Sequence, residues 1–382
     1  MVAAALGRGD ETLVRRETRM GMWLSILFGA LVMPIFWNAD AILRAAGQDP
    51  QVAALAQDFL RIAGWGMIPA LLVMVLKSYL AALERTQVVL WVTMSAVLVN
   101  FIIAYSFIFG RFGAPEWGVR GAALSSLVTQ YLTFVFLAIY AAFARDSRRF
   151  TLFRRFWRPD WMALLHVLRL GLPTGLTGLA ESGMFVAAAV MMGWIGKVEL
   201  AAHGIALEIT ALSFMVHLGL SNAATVRVGR AMGEGDVVAM RRAGLAATVL
   251  SLAFVAIMLV LFLALPHVLI GLFLDPNKPD AEAIVGFGVT FLAVAALFQL
   301  FDAMQVVALG LLRAVQDTRG PMWIATISYW LVGLPASYAL AFVVGLLGPG
   351  LWLGLAAGLA VAAVLLMLRF WRGPWFGRLA LA

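Results

Sequence analysis

The sequence predicts an all-α, polytopic membrane protein built from two related helical lobes. Three observations support this fold class. First, 63% of the 382 residues are hydrophobic, only 13% are charged and the mean hydropathy is +0.95, which is more apolar surface than a soluble domain of this length can bury. Second, apolar runs long enough to cross about 30 Å of hydrocarbon recur along the chain. Third, the second half of the sequence repeats motifs of the first half.

Ten apolar runs predict ten transmembrane helices. They cover approximately residues 20–43, 59–83, 88–110, 119–144, 168–194, 198–226, 243–266, 284–312, 320–345 and 349–371. Twenty of the 28 Lys and Arg residues lie at the chain ends and in alternate connections, and six lie in the other connections. By the positive-inside rule, this bias predicts that both termini are cytoplasmic. The net charge of +8 is therefore attributed to membrane orientation, and we expect no nucleic-acid partner.

The internal repeat is carried by two motifs. ALGRGDETLVRR (residues 5–16) returns as AMGEGDVVAMRR (231–242), and LAALERTQVVLW (80–91) returns as LRAVQDTRGPMW (312–323). Duplicated halves of this kind are typical of secondary transporters, which bind their substrates near the repeat interface. A duplicated membrane fold with another role is the alternative.

The repeat predicts an N-terminal lobe of four helices (residues 1–150) and a C-terminal lobe of six helices (151–382). The two C-terminal helices at 168–194 and 198–226 have no counterpart in the first half. We therefore expect either that Met1 is a late start in a longer reading frame or that two helices have been lost.

Three carboxylates interrupt the apolar runs of the C-terminal lobe. Glu181 and Glu208 lie in consecutive runs, and Asp302 lies deep in the 284–312 run between Gln299 and Gln305. Because an ionisable group at mid-membrane costs about 2.5–3.5 kcal/mol or more, each is a candidate functional residue. None has a basic residue at helical spacing, so the predicted partner is a proton, Na⁺ or an organic cation. A protonated carboxyl that hydrogen-bonds to a neighbouring helix is the alternative.

Other polar and aromatic residues are weaker candidates. Asn100 is expected to hydrogen-bond across helices, and with Glu208, Gln299 and Gln305 it is a candidate for an additional cation or substrate site. Four aromatic residues near the carboxylates are candidates for stacking on a flat cationic substrate, with ordinary packing as the alternative; they are Phe185, Phe214, Phe298 and Phe301. The sequence contains no HExxH, GxSxG or Walker A motif, so we expect no enzyme activity, nucleotide site or cofactor.

Several motifs together resemble the multidrug and toxic compound extrusion (MATE) family, in its bacterial NorM-like branch. They are the doubled Gly-x-Gly-Asp-x4-Arg-Arg motif, GLPTGLTGLAESGMF (171–185), LAAHGIAL (200–207), AATVRVGRAMGEGD (223–236) and LFQLFDAMQVVALGLLRAVQDTRGPM (297–322). The resemblance implies two six-helix lobes that open alternately to either side of the membrane. It implies export of organic cations in exchange for Na⁺ or H⁺, with Glu181 and Asp302 as the coupling carboxylates.

The sequence also departs from the family pattern. The first family helix, which usually carries an acidic residue, is absent, and Ala104 and Gly204 stand where polar residues are common. The predicted function is an antiporter of the bacterial inner membrane, surrounded by the lipid bilayer and acting on small organic cations. The alternatives are a flippase for a lipid-linked saccharide or similar amphiphile, and a truncated remnant that does not transport. The oligomeric state is not predicted.

Overall fold

The protein is described by a computed structural model covering residues 1–45, 47–154, 156–275 and 280–378. Within these ranges the regular secondary structure is helical throughout, without a β-strand, and ten helices are long and apolar enough to cross a membrane. They are α1 (Glu11–Trp37), α2 (Pro50–Ala82), α3 (Thr86–Phe109), α4 (Gly118–Phe143), α5 (Trp161–Ile195), α6 (Lys197–Glu234), α7 (Val237–Ala264), α8 (Ala281–Ala314), α9 (Arg319–Val343) and α10 (Leu347–Trp371).

All ten predicted helices are present, and most differ from the prediction only at their ends. The largest differences are at α1, which begins at Glu11 rather than at residue 20, at α2, which begins at Pro50 rather than at 59, and at α6, which continues to Glu234 rather than ending at 226. An apolar run marks only the part of a helix that crosses hydrocarbon. Polar turns on either side of that part remain helical up to the residue that caps the helix.

The first repeated motif forms the same helix–helix corner in both halves. Gly9 and Gly235 adopt left-handed conformations with φ of 71° and 76°. The amide of the following Asp10 donates to the Ala5 carbonyl at 3.0 Å, and that of Asp236 donates to Ala231 at 2.9 Å. Each aspartate then accepts a hydrogen bond at 2.8 Å from the backbone amide three residues later, which caps the next helix.

The second repeated motif forms another matched corner. Glu84 and Gln316 follow the ends of α2 and α8 with φ of 61° and 62°. The next amides close equivalent hydrogen bonds, from Arg85 to Leu80 at 2.9 Å and from Asp317 to Leu312 at 3.0 Å. Since side chains with a Cβ rarely adopt positive φ, the shared geometry confirms the repeat at the level of the backbone.

The described residues form two compact units, one within residues 2–168 and one within residues 169–378, called here the N-terminal and C-terminal units. The division into predicted lobes at residue 150 stays a prediction. The N-terminal core is built mainly from α1, α2 and α4, whereas no residue of α3 is buried. In the C-terminal unit α8 is central and packs against α6, α7 and α10, so polar residues on α8 lie inside the unit rather than on its surface.

Helix α9 is irregular. It contains two π-helical stretches, Ser328–Gly333 and Ala339–Val343, on either side of a short α-helical segment that includes Pro335. The first stretch lies against α10 at a glycine contact: a Cβ added to Gly358 would lie 2.6 Å from the Cα of Gly333. Tyr329 belongs to the same π-helical stretch and is fully buried in the core.

Candidate functional site

Helix α8 carries the buried acid of the site. Asp302 is 3% exposed and its neighbours Gln299 and Gln305 are equally buried. The Gln299 amide donates to the Ser213 hydroxyl on α6 at 2.8 Å. Within the described residues, no hydrogen bond reaches the Asp302 carboxylate. A buried carboxylate without a protein donor favours a bound proton or cation, because its ionised form is otherwise poorly solvated.

Gln305 links three helices at this site. Its side-chain amide donates to Glu181 Oε1 on α5 at 3.4 Å and to the Tyr329 hydroxyl on α9 at 2.5 Å. Asp302 lies one turn before Gln305 on α8, so the two carboxylates flank the same glutamine. Two like charges in one low-dielectric cluster repel each other, so the pair is expected to share a proton or a cation.

Glu181 faces a cavity of about 180 Å³ inside the C-terminal unit. The cavity is lined by residues of α5, α6 and α8 and of the α8–α9 corner, namely Thr174, Thr177, Gly178, Glu181, Phe214, Leu218, Val306, Leu309, Arg313, Asp317, Thr318 and Pro321. Drug-sized ligands usually occupy roughly 300–1,000 Å³. The cavity therefore suits a small ion with a few waters better than a drug-sized substrate.

Arg313 corrects one expectation from the sequence. The predicted helix ended at residue 312, so Arg313 was counted in the connection that follows, and no basic residue was expected beside the carboxylates. The structure instead places Arg313 in the last turn of α8, where it lines the cavity with Glu181. The guanidinium and the Glu181 carboxylate therefore share one cavity, without a salt bridge between them among the described residues. Spacing along one helix gave no signal that Arg313 and Glu181 line one cavity, because the two residues are on different helices.

Tyr329 was also not singled out from the sequence. It is fully buried and accepts the Gln305 hydrogen bond, yet in the sequence it is one more aromatic residue in an apolar run. The π-helical geometry around it is a feature often found at functional sites, but no sequence pattern predicted that geometry.

The remaining C-terminal candidates lie in different surroundings. Glu208 is exposed on α6 and does not line the cavity. Among the four aromatic candidates, only Phe214 lines it. Phe185 packs edge-on against Phe298 with ring centroids 6.1 Å apart, and Phe301 packs against the same hydrophobic core.

In the N-terminal unit, Asn100 forms the expected type of cross-helix contact. Its amide donates to the Thr129 hydroxyl on α4 at 3.2 Å. A nearby cavity of about 190 Å³ is lined mostly by apolar side chains and includes Thr129, but not Asn100. Glu17 on α1 is buried, and its Oε2 has no hydrogen bond among the described residues. Because the sequence around Glu17 is polar, the burial of this residue was not predicted.

Sequence comparisons relate the chain to known transporters. The MatE family model matches residues 1–106 and 173–339. The chain is 46% identical to the probable multidrug resistance protein NorM of Rhizobium meliloti (strain 1021), over 97% of this chain and 80% of that protein. It is 45% identical to the protein of the same name from Agrobacterium fabrum, with the same coverage.

Solved structures show a similar fold. A MOP superfamily transporter from Pyrococcus furiosus superposes with a TM-score of 0.88 at 22% identity, over 99% of this chain and 82% of that one. The eukaryotic MATE transporter AtDTX14 superposes with a TM-score of 0.85 at 21% identity, over 99% of this chain and 83% of that one. Both likenesses concern the fold, which agrees with the predicted all-α membrane architecture.

Proposed function

The chain belongs to the MATE family of multi-pass membrane transporters, and we propose that it is a multidrug efflux antiporter that exports organic cations in exchange for Na⁺ or H⁺. The observation that carries the proposal is a cluster of two mid-helix carboxylates: Asp302 is buried on α8, and Glu181 on α5 is linked through Gln305 to Tyr329. We place the protein in the bacterial inner membrane with both termini in the cytoplasm, as the distribution of basic residues favours.

The chemistry of the pair suits a small exchange cation. Carboxylate and hydroxyl oxygens are the ligands that hard cations prefer. The carboxylates of Glu181 and Asp302, the Tyr329 hydroxyl and the side-chain oxygen of Gln305, which is buried without a hydrogen bond, supply such oxygens. A proton on one carboxylate also removes the repulsion within the pair, so the donor set accommodates either ion.

Coupling follows from electrostatic competition. While the pair is ionised, it attracts a cationic substrate; once Na⁺ or H⁺ neutralises it, that attraction falls. An antiporter results if the two conformations differ in their affinity for the ion and for the substrate, because each ligand then shifts the same conformational equilibrium.

The main alternative is a flippase for a lipid-linked saccharide or similar amphiphile. Such a substrate carries phosphate and would favour a cationic cavity. Here the one arginine that lines the described cavity, Arg313, is accompanied by two carboxylates, Glu181 and Asp317, so the charges of the cavity do not favour a phosphate. A cationic dye that binds in competition with Na⁺ or acid supports the antiporter over the flippase.

Dye efflux from proteoliposomes tests the proposal. With an imposed Na⁺ or pH gradient, we expect Asp302→Asn and Glu181→Gln to reduce ion-driven efflux to background. Glu208→Gln, which alters an exposed carboxylate outside the cavity, should retain most of the activity. Equal incorporation of the variants is checked by protein content and gel filtration. Wild-type efflux by Asp302→Asn contradicts the assignment, and an absence of gradient-driven efflux by the wild type supports the remnant hypothesis.

A further inference from the structure

Arg313 is the basic residue of the Glu181 cavity, and few protein contacts hold it. Its Nε donates to the Leu309 carbonyl of its own helix at 3.1 Å. Among the described residues, the Nη groups form no hydrogen bond and the guanidinium forms no salt bridge within 4.0 Å. Four of its five N–H donors are thus unassigned. A half-buried guanidinium in this state is expected to have a partner in part of the working cycle.

The other charged groups nearby leave Glu181 as that partner. Asp317 also lines the cavity, but it is paired with Arg369 at 2.6 Å. Asp302 and Tyr329 belong to the Glu181 cluster and do not line the cavity. Glu181 is therefore the cavity carboxylate without a salt bridge, and its only hydrogen bond among the described residues is the long one from Gln305, at 3.4 Å.

We propose that Arg313 is an internal counter-ion of Glu181, which competes with the exchange cation for that carboxylate and promotes the release of the cation. This inference rests on the proposed cation coupling at Glu181. The guanidinium remains charged at all working pH values and matches a carboxylate with two parallel N–H donors. When the cation leaves, Arg313 compensates the Glu181 charge; when the cation binds, Arg313 keeps only its contact with Leu309.

Competition of this kind has a distinctive kinetic consequence. Removing the guanidinium charge should make Glu181 hold the exchange cation more tightly, so the half-saturating cation concentration should fall. Since release becomes slower, the maximal efflux rate should fall as well. Damage to the fold would also lower the maximal rate, but it gives no reason for tighter cation binding, so the two explanations are distinguishable.

The test measures dye efflux from proteoliposomes against Na⁺ concentration at fixed pH, and against proton concentration if Na⁺ does not drive efflux. For Arg313→Gln we expect a half-saturating concentration about tenfold below wild type, which is the effect of about 1.4 kcal/mol, with a lower maximal rate. Arg313→Lys, which keeps the charge, should remain within about twofold to threefold of wild type. Arg319→Gln removes an exposed arginine outside the cavity and should leave both parameters unchanged.

The possible outcomes separate this inference from the proposed function. If the half-saturating cation concentration of Arg313→Gln equals that of the wild type, the counter-ion role is overturned, whatever the maximal rate. If Glu181→Gln abolishes efflux in the same assay, the proposed function is still supported. Wild-type efflux by Glu181→Gln overturns the proposed function itself. If Arg313→Gln is not recovered as a monodisperse protein, Arg313→Met keeps the length of the side chain without its charge, and the same expectations apply to it.

Discussion

Gly358→Ala tests whether the contact between α9 and α10 positions the site. The added Cβ would lie 2.6 Å from Gly333 Cα and 2.9 Å from the Ser328 carbonyl oxygen. Both contacted atoms belong to backbone, so no side chain can rotate away, and the helices must separate by roughly 1 Å to reach ordinary contact distances. Overpacking of this kind costs about 1–3 kcal/mol.

The matched control is Gly286→Ala on α8, where an added Cβ has no neighbour within 4 Å. Both variants gain the helix propensity of alanine, worth about 0.5–1 kcal/mol. The difference in stability between them therefore reports the steric overlap of the Cβ added at Gly358. In detergent, we expect Gly358→Ala to unfold roughly 2–12 °C below Gly286→Ala, since 1 kcal/mol shifts the Tm of a domain of this size by about 2–4 °C.

The same displacement should also reach the proposed ion site. Tyr329 follows the contacted Ser328, and its hydroxyl bond from Gln305 at 2.5 Å would lengthen beyond hydrogen-bond distance if α9 moved by roughly 1 Å. We therefore expect slower dye efflux from Gly358→Ala and unaltered efflux from Gly286→Ala. Equal melting temperatures together with equal efflux would refute the idea that this glycine contact positions Tyr329.

Two further predictions concern the ends of the helices. Asp236→Ala removes the cap that accepts from the Ala239 amide at 2.8 Å; it should cost about 1 kcal/mol and speed hydrogen exchange in the first turn of α7, and unchanged exchange there argues against the capping role. The Arg16 hydrogen bond, with a backbone bond from Ala163, lowers the pKa of Asp160 from its ordinary value of 3.8. The resulting stability is present above that value and is lost as the pH falls through the lower folded-state pKa. Asp160→Asn, which removes the charge but keeps a capping side chain, should therefore lower the Tm at neutral pH and have little effect at acidic pH; a pH-independent difference contradicts this linkage.

Local sequence information predicted much of the fold. The ten apolar runs correspond to the ten long helices because hydrocarbon length sets a clear minimum for each run. The repeated Gly-Asp pairs were predicted to occupy equivalent positions in the two halves of the repeat. The structure shows that both pairs form the same capped corner between helices. Asp302 was recognisable because charge is costly in an apolar run and glutamines flank it.

Residues whose surroundings come from other helices were harder to predict. Arg313 and Tyr329 join Glu181 only when α5, α8 and α9 are assembled. Glu208 lies in a helix that is apolar over much of its circumference, and in such a helix the sequence pattern does not reveal which face is buried. The structure places Glu208 on an exposed face, which apolar flanking residues alone did not indicate.

The π-helical stretches of α9 affect how this helix can change in length. A π-helical turn holds about one residue more than an α-helical turn, so deleting a residue from Ala339–Val343 can convert that stretch to α-helix while both flanks keep their orientation. In the regular helix α8, the same deletion would rotate all later side chains by about 100° relative to earlier ones; placed between Gln299 and Asp302, it would separate Gln299 from Asp302 and Gln305 on the helix surface. Insertions and deletions between homologous chains are therefore expected to be tolerated in α9 and excluded from α8.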